Sequence, residues 1–167
     1  GQSYAGEELV VSVGGDNLGD GLSVTLHSGI RGGVVKTMRG HTDKVVSVAC
    51  QGDLIASGSK DLTIRIWSRR SGQRTATLIG CEAPVHGLAL QGALLFSGEG
   101  GGVGRGAGIA RLWSLSTGKS ISVFTEHQGA IWSVALEDGV GVSASHDATA
   151  RVWPTNGSND SSLGCLH

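Results

Sequence analysis

A repeat of about 40 residues constrains this chain more than anything else in it. Leu22–His27 (LSVTLH), Leu62–Trp67 (LTIRIW), Gly108–Trp113 (GIARLW) and Ala148–Trp153 (ATARVW) fall in one register at intervals of 40, 46 and 40 residues. The second and fourth copies align without a gap over 28 residues, Gly40–Trp67 onto Glu126–Trp153, at a constant offset of 86. Ten positions are identical: His41/His127, Ser47/Ser133, Val48/Val134, Ala49/Ala135, Ser57/Ser143, Ser59/Ser145, Asp61/Asp147, Thr63/Thr149, Arg65/Arg151 and Trp67/Trp153. The third copy follows the second from Gly80 to Gly98, then carries six extra residues in a glycine-rich loop. Such a period means one supersecondary unit stacked on itself.

Within a unit the residues read as short strands. In the second copy they are Val45–Cys50, Leu54–Ser57, Thr63–Trp67 and Arg74–Ile79, separated by Gln51-Gly52-Asp53, Gly58-Ser59-Lys60-Asp61 and Ser71-Gly72. Val, Ile, Thr and Trp fill the runs, while Gly and Asp supply the turns. No segment has a 3.6-residue period, so the chain is expected to be all-β, with four strands to a unit. Both alternating faces of Val45–Cys50 are largely apolar, which predicts sheets covered on both sides by stacking.

Composition narrows the function classes. Lys plus Arg number 13 and Asp plus Glu 14, a net charge of -1 that provides no field to steer a polyanion. No apolar run reaches the ~20 residues of a bilayer span. The cysteines Cys50, Cys81 and Cys165 are odd in number and lack metal-ligand spacing, which fits a reducing compartment. The chain begins with Gly rather than Met, as a processed product or a piece of a longer protein would.

The 40-residue period, the Gly40-His41 opening, Ser57-Gly58-Ser59, Asp61 and Ile66-Trp67 resemble the WD-repeat β-propeller family. His127, Ser143, Asp147 and Val152-Trp153 repeat the pattern, and the likeness covers roughly residues 9–153. The resemblance implies an incomplete ring, or part of a larger propeller, made of four-stranded antiparallel blades. The units expected are 1–39 (a degenerate first blade), 40–79, 80–125 with a glycine-rich insertion at 98–108, and 126–167 with a weak last strand near Ser161–Leu166. That is about three and a half blades, whereas rings of this family usually have more, most often seven.

Several positions depart from the family pattern. Ser68, Ser114 and Pro154 stand where Asp often follows Trp, and Cys81 stands where His is expected. Glu99–Gly108 replaces the Asp-bearing turn of the third copy, and His27 replaces Trp in the first.

By the same resemblance, His41, Ser57, Asp61 and Trp67 form a buried hydrogen-bonded chain, and His127, Ser143, Asp147 and Trp153 form another. A Ser–His–Asp set also suggests a hydrolase. Its recurrence once per repeat, with no Gly-x-Ser-x-Gly elbow at Ser57 or Ser143, favours a structural role. Gly98–Gly108 resembles a phosphate cradle, and Gly102-x-Gly104-x-x-Ala107 meets a loose dinucleotide fingerprint. A strand, Ile109–Trp113, follows it in place of the helix that the fingerprint needs. A single Asp/Gly stretch at Gly14–Gly21 cannot build a stacked calcium cage.

These readings converge on a non-catalytic scaffold that presents one propeller face to protein or peptide partners within a larger complex. Neither cofactor nor metal is expected, nor a small-molecule substrate, nucleic acid or membrane. Carried over by position, the partner-binding face comprises Lys44, Val46, Lys60, His86, Trp132 and His146, with Arg105 at the insertion tip. The alternatives are a targeting or substrate-receptor module of a multidomain enzyme, such as a ubiquitin-ligase adaptor, and a fragment without autonomous function. The expected location is intracellular, cytoplasmic or nuclear. Open blade edges would make the isolated chain dimerise face to face or aggregate.

Overall fold

The strands predicted from turn punctuation form four antiparallel sheets. The computed structural model describes residues 9–13, 21–29, 33–100, 106–155 and 162–166. Blade 1 is β1 (Leu9–Val13), β2 (Ser23–Ser28) and β3 (Val34–Arg39), three strands in chain order. Blade 2 is β4 (Val45–Gln51), β5 (Leu54–Ser59), β6 (Thr63–Ser68) and β7 (Arg74–Ile79). Blade 3 is β8 (Val85–Gln91), β9 (Leu94–Glu99), β10 (Ile109–Ser114) and β11 (Lys119–Phe124). Blade 4 is β12 (Ile131–Glu137), β13 (Val140–Ser145), β14 (Ala150–Pro154) and β15 (Gly164–Leu166).

Within each blade every strand pairs with its sequence neighbour, so every connection inside a blade is a hairpin. The β12–β13 turn is Asp138-Gly139, both with positive φ, a two-residue connection whose twist suits the flanking strands. Gly98 and Glu99 belong to β9, paired with Gly87 and Val85, and not to the glycine-rich loop in which the sequence reading put them. Residues 101–105, including Arg105, and the Gly14–Asp20 stretch lie outside the described residues.

The blades stack in chain order, with β4 against β8 and β8 against β12. Three apolar layers lie between them. Val24, Leu26 and Met38 meet Val45, Ile55 and Trp67 between blades 1 and 2. Ala56, Ile64, Ile66 and Leu78 meet Val85, Leu95 and Trp113 between blades 2 and 3. Phe96, Leu112 and Phe124 meet Ile131, Leu136 and Trp153 between blades 3 and 4. Alternate residues of a strand therefore serve opposite layers: in β6, Ile64 and Ile66 face forward and Trp67 faces back.

Close approach at these layers depends on missing side chains. A Cβ on Gly58 would meet Val85 Cγ1 at 2.7 Å, and one on Gly98 would collide with Ile131. The same position in blade 4 is Ala144, which is exposed. The far face of blade 4 carries no blade among the described residues. Val142 and Ala150 there are half-buried, although their blade 2 counterparts Ala56 and Ile64 are fully buried. The four blades thus form an open arc.

Candidate functional site

Two identical side-chain chains anchor blades 2 and 4. Trp67 Nε1 donates to Ser57 Oγ at 2.8 Å, Ser57 lies 2.8 Å from His41 Nε2, and His41 Nδ1 lies 2.8 Å from Asp61 Oδ2. The blade 4 distances are 2.7 Å (Trp153–Ser143), 2.8 Å (Ser143–His127) and 2.8 Å (His127–Asp147). An indole N–H can only donate and an ionised carboxylate can only accept, so with a neutral imidazole the proton order is fixed. Trp donates to Ser, Ser donates to His Nε2, and His Nδ1–H donates to Asp. Burial pushes the pKa of His41 below its ordinary value, which favours the neutral imidazole there.

The carboxylate also shapes its own turn. Asp61 Oδ1 accepts from the Thr63 N–H at 3.0 Å and the Thr63 hydroxyl at 2.6 Å, while Oδ2 accepts from the Thr42 N–H at 3.0 Å. These bonds hold Leu62 in the left-handed region at φ 63, and Asp147 does the same for Ala148 at φ 66. Burial opposes ionisation of Asp61. The Thr63 hydroxyl, the Thr42 N–H and His41 outweigh it and lower the carboxyl to about 2; Asp147 is likewise lowered.

A pH dependence follows from these shifts. Both Asp carboxyls are depressed in the folded state, so their stabilisation is present above an ordinary Asp pKa of ~3.9 and is lost as pH falls towards about 2. His41 is depressed too, so its contribution is present above ~6.5 and declines below that. Thermal unfolding followed from pH 8 to 2.5 should show a plateau near neutrality and a midpoint that falls through both windows. Combining Asp61→Asn with Asp147→Asn should flatten the lower window.

Blade 3 solves the same problem with other residues. Trp113 Nε1 donates to Ser97 Oγ at 2.9 Å, but Cys81 occupies the histidine position. The carboxylate comes from Glu99, which is fully buried in β9, at the position of Ser59 in blade 2. Glu99 Oε2 accepts from the Glu82 N–H at 2.9 Å, as Asp61 does from Thr42, and Oε1 accepts from Arg111 Nε at 2.7 Å. Arg111 Nη2 reaches Glu82 at 2.7 Å. Burial and the Glu99 charge push the Cys81 thiol far up, so it remains a neutral core group. Because the carboxylate no longer comes from the β9–β10 turn, that turn is free to hold the insertion.

Blade 1 keeps one link. Ser12 Oγ lies 2.9 Å from His27 Nε2, with His27 standing for Trp and Ser12 for Ser57. Ser12, Glu99 and Arg111 were not singled out from the sequence. The 40-residue offset, which sets Glu99 opposite Ser59, was the available signal for Glu99.

Above these networks, the innermost strands share a second device. The β4–β5, β8–β9 and β12–β13 ladders each shift register across one residue: Val46 between Val45 and Ser47, His86 between Val85 and Gly87, and Trp132 between Ile131 and Ser133. A bulge re-aims the extra side chain. Val46 and His86 are half-buried, and Trp132 is 53% exposed. The His86 and Trp132 rings stand 4.6 Å apart at 49°, across the blade 3–blade 4 boundary.

The following turns close over the same strand ends. The N–H of Lys60 donates to Lys44 C=O at 2.9 Å, that of Gly100 to Pro84 C=O at 3.1 Å, and that of His146 to Ala130 C=O at 2.8 Å. Lys44, Lys60 and His146 are all exposed. Burial lowers the pKa of His86, and the Lys60 charge adds to that, which places Lys60 within electrostatic reach of the aromatic pair. Among the described residues no cluster of His, Cys, Asp or Glu could hold a metal ion.

The profile of the WD domain, G-beta repeat family matches residues 32–68 and 118–154. Over 111 residues the chain is 34% identical to "Autophagy-related protein 16" of Arabidopsis thaliana, covering 63% of this chain and 20% of that protein. It is 43% identical over 56 residues to "WD repeat-containing protein pop1" of Schizosaccharomyces pombe, covering 34% and 7%. The chain thus spans a fifth or less of these relatives. Among solved structures, that of the computationally designed Ika4 protein superposes with a TM-score of 0.74 at 23% identity, over 87% of this chain and 84% of that one.

Proposed function

Because the chain is a partial WD-repeat β-propeller, we propose that it is a non-catalytic interaction scaffold within a larger complex, and that the face bearing Val46, His86 and Trp132 contacts a peptide or protein partner. The observation that carries this reading is Trp132, a large indole more than half exposed on a bulge and backed by His86. A rigid aromatic with one face supported and the other open to solvent is a favoured interface anchor. Lys44, Lys60 and His146, exposed at the same strand ends and turns of blades 2 and 4, add polar groups to this face, as in an interface with an apolar centre and a polar rim. The Ser, His and Asp groups of blades 2 and 4 are engaged in buried chains behind each tryptophan, which supports a structural role for them.

The test is selection of binders from a displayed random-peptide library on the 167-residue chain, followed by affinity measurement on Trp132→Ala. The selected peptides should lose about 2 kcal/mol or more, roughly 30-fold in Kd. The melting temperature should barely change, because an exposed substitution stays within about 0.5 kcal/mol. Peptides that bind the variant as tightly as the wild type would move the partner surface elsewhere.

A further inference from the structure

The same arginine position recurs in three blades, and two of the three arginines are claimed by carboxylates of the chain itself. In blade 3, Arg111 Nε bonds Glu99 at 2.7 Å and Nη2 bonds Glu82 at 2.7 Å. In blade 4, Arg151 Nη1 bonds Glu126, which also accepts from the Ser162 N–H at 2.8 Å and the Ser162 hydroxyl at 2.7 Å. The Arg65 side chain of blade 2 makes no hydrogen bond or ion pair among the described residues; its Nε is buried without a partner, as is that of Arg151, but Arg151 has Glu126 at Nη1.

The offset of 86 that carries Arg65 onto Arg151 carries Gly40 onto Glu126. The residue that supplies the counter-charge in blade 4 is therefore a glycine in blade 2. The Arg65 guanidinium lies directly over that glycine: a Cβ there would collide with Nη1. Gly40 itself is exposed, and the guanidinium occupies the space that a side chain at this position would take. Arg74 of β7 adds a second positive charge, and burial together with Arg74 presses the Arg65 pKa down against the opposing pull of the Asp61 carboxylate, which is bound to His41 and Thr63 and not to Arg65. Arg111, beside Glu99, is raised.

We propose that Arg65, with Arg74 beside it, is a seat for an external carboxylate, the side chain of an acidic peptide approaching over Gly40 and supplying the counter-charge that Glu126 supplies in blade 4. A guanidinium presents paired N–H donors that fit a carboxylate, and such charge-assisted bonds are the strong ones. The ligand is assigned as a carboxylate because glutamates, although from different positions of the repeat, pair with both of the other arginines. The seat is separate from the Trp132 face and does not depend on it.

The test uses the full 167-residue chain, labelled with 15N, and follows the arginine Nε–Hε signals during titration with triglutamate and, separately, with inorganic phosphate. The Arg65 signal should shift saturably with triglutamate, while Arg111 and Arg151, already paired, stay still. Arg65→Gln should weaken binding at least about tenfold. Arg65→Lys, which keeps the charge and loses the paired donors, should fall between. The assignment is overturned if triglutamate moves Arg65 no more than the surface arginines Arg69 and Arg70. It is overturned equally if phosphate saturates the site and triglutamate does not.

Discussion

Arg111→Ala should lower the unfolding free energy by about 3–5 kcal/mol, the cost of stranding a buried charge. Glu99 is fully buried, and its Oε1 accepts directly from Arg111 Nε. Removing the guanidinium leaves a carboxylate that must either take up a proton or lose its blade. Burial already pushes the Glu99 carboxyl above its ordinary range, and loss of the Arg111 charge should raise it further. Stability carried by a raised carboxyl is greatest at low pH and is lost as pH rises through the folded pKa. The Arg111→Ala variant should therefore recover part of its loss on mild acidification. Glu82→Ala is the internal control. Its carboxylate is 69% exposed, and an exposed ion pair contributes about 1 kcal/mol or less. Replacing both Glu99 and Arg111 by methionine should cost less than Arg111→Ala alone, because no charge is left stranded. Urea unfolding of the four proteins decides the matter, and equal losses in all variants would show that the pair is incidental to blade 3.

Trp153→Ala should cost a similar amount, about 3–5 kcal/mol, through the cavity it leaves. The indole is fully buried, lies 4.7 Å from Phe124 at an interplanar angle of 23°, and packs with Phe96, Leu112 and Ile131. It therefore joins blade 4 to blade 3 as well as closing its own chain through Ser143. Trp153→Phe keeps most of the packing and removes only the N–H donor. It should cost about 1–3 kcal/mol, the range for leaving one buried polar group unpaired. Calorimetric melting of the two variants separates the packing contribution from the hydrogen bond. Near-identical losses would mean that the hydrogen bond, and not the volume, holds the blade.

Much of this was legible without coordinates. The Gly–His opening, the Ser, the turn Asp and the closing Trp recur at fixed offsets, and each offset fixes a place in a blade. The sequence also showed where blade 3 departs, at Cys81. It did not show that Glu99 would take over, because that depends on pairing. In the β9–β10 ladder Glu99 faces Ile109 and Ser97 faces Arg111, so Glu99 and Arg111 are diagonal neighbours that meet only at this register. Assigning Gly98 and Glu99 to the loop followed from glycine composition, whereas the ladder with β8 keeps them in the strand. The Ser12–His27 link was hidden for a similar reason, since only the β1–β2 register brings the two within reach.

The sequence by itself determined the repeat, the all-β class and the identity of the groups behind Trp67 and Trp153. All of these are set within one unit of about 40 residues, by local turns and alternation. The tertiary structure alone decided which side chains remain unclaimed. Trp132 is exposed because a bulge turns it out beside His86 of the preceding blade. Among the described residues the Arg65 guanidinium bonds no carboxylate, since Gly40 stands where Glu126 pairs Arg151 in blade 4. Both outcomes depend on residues from different strands and blades meeting in space, and the period of a single repeat does not encode those meetings.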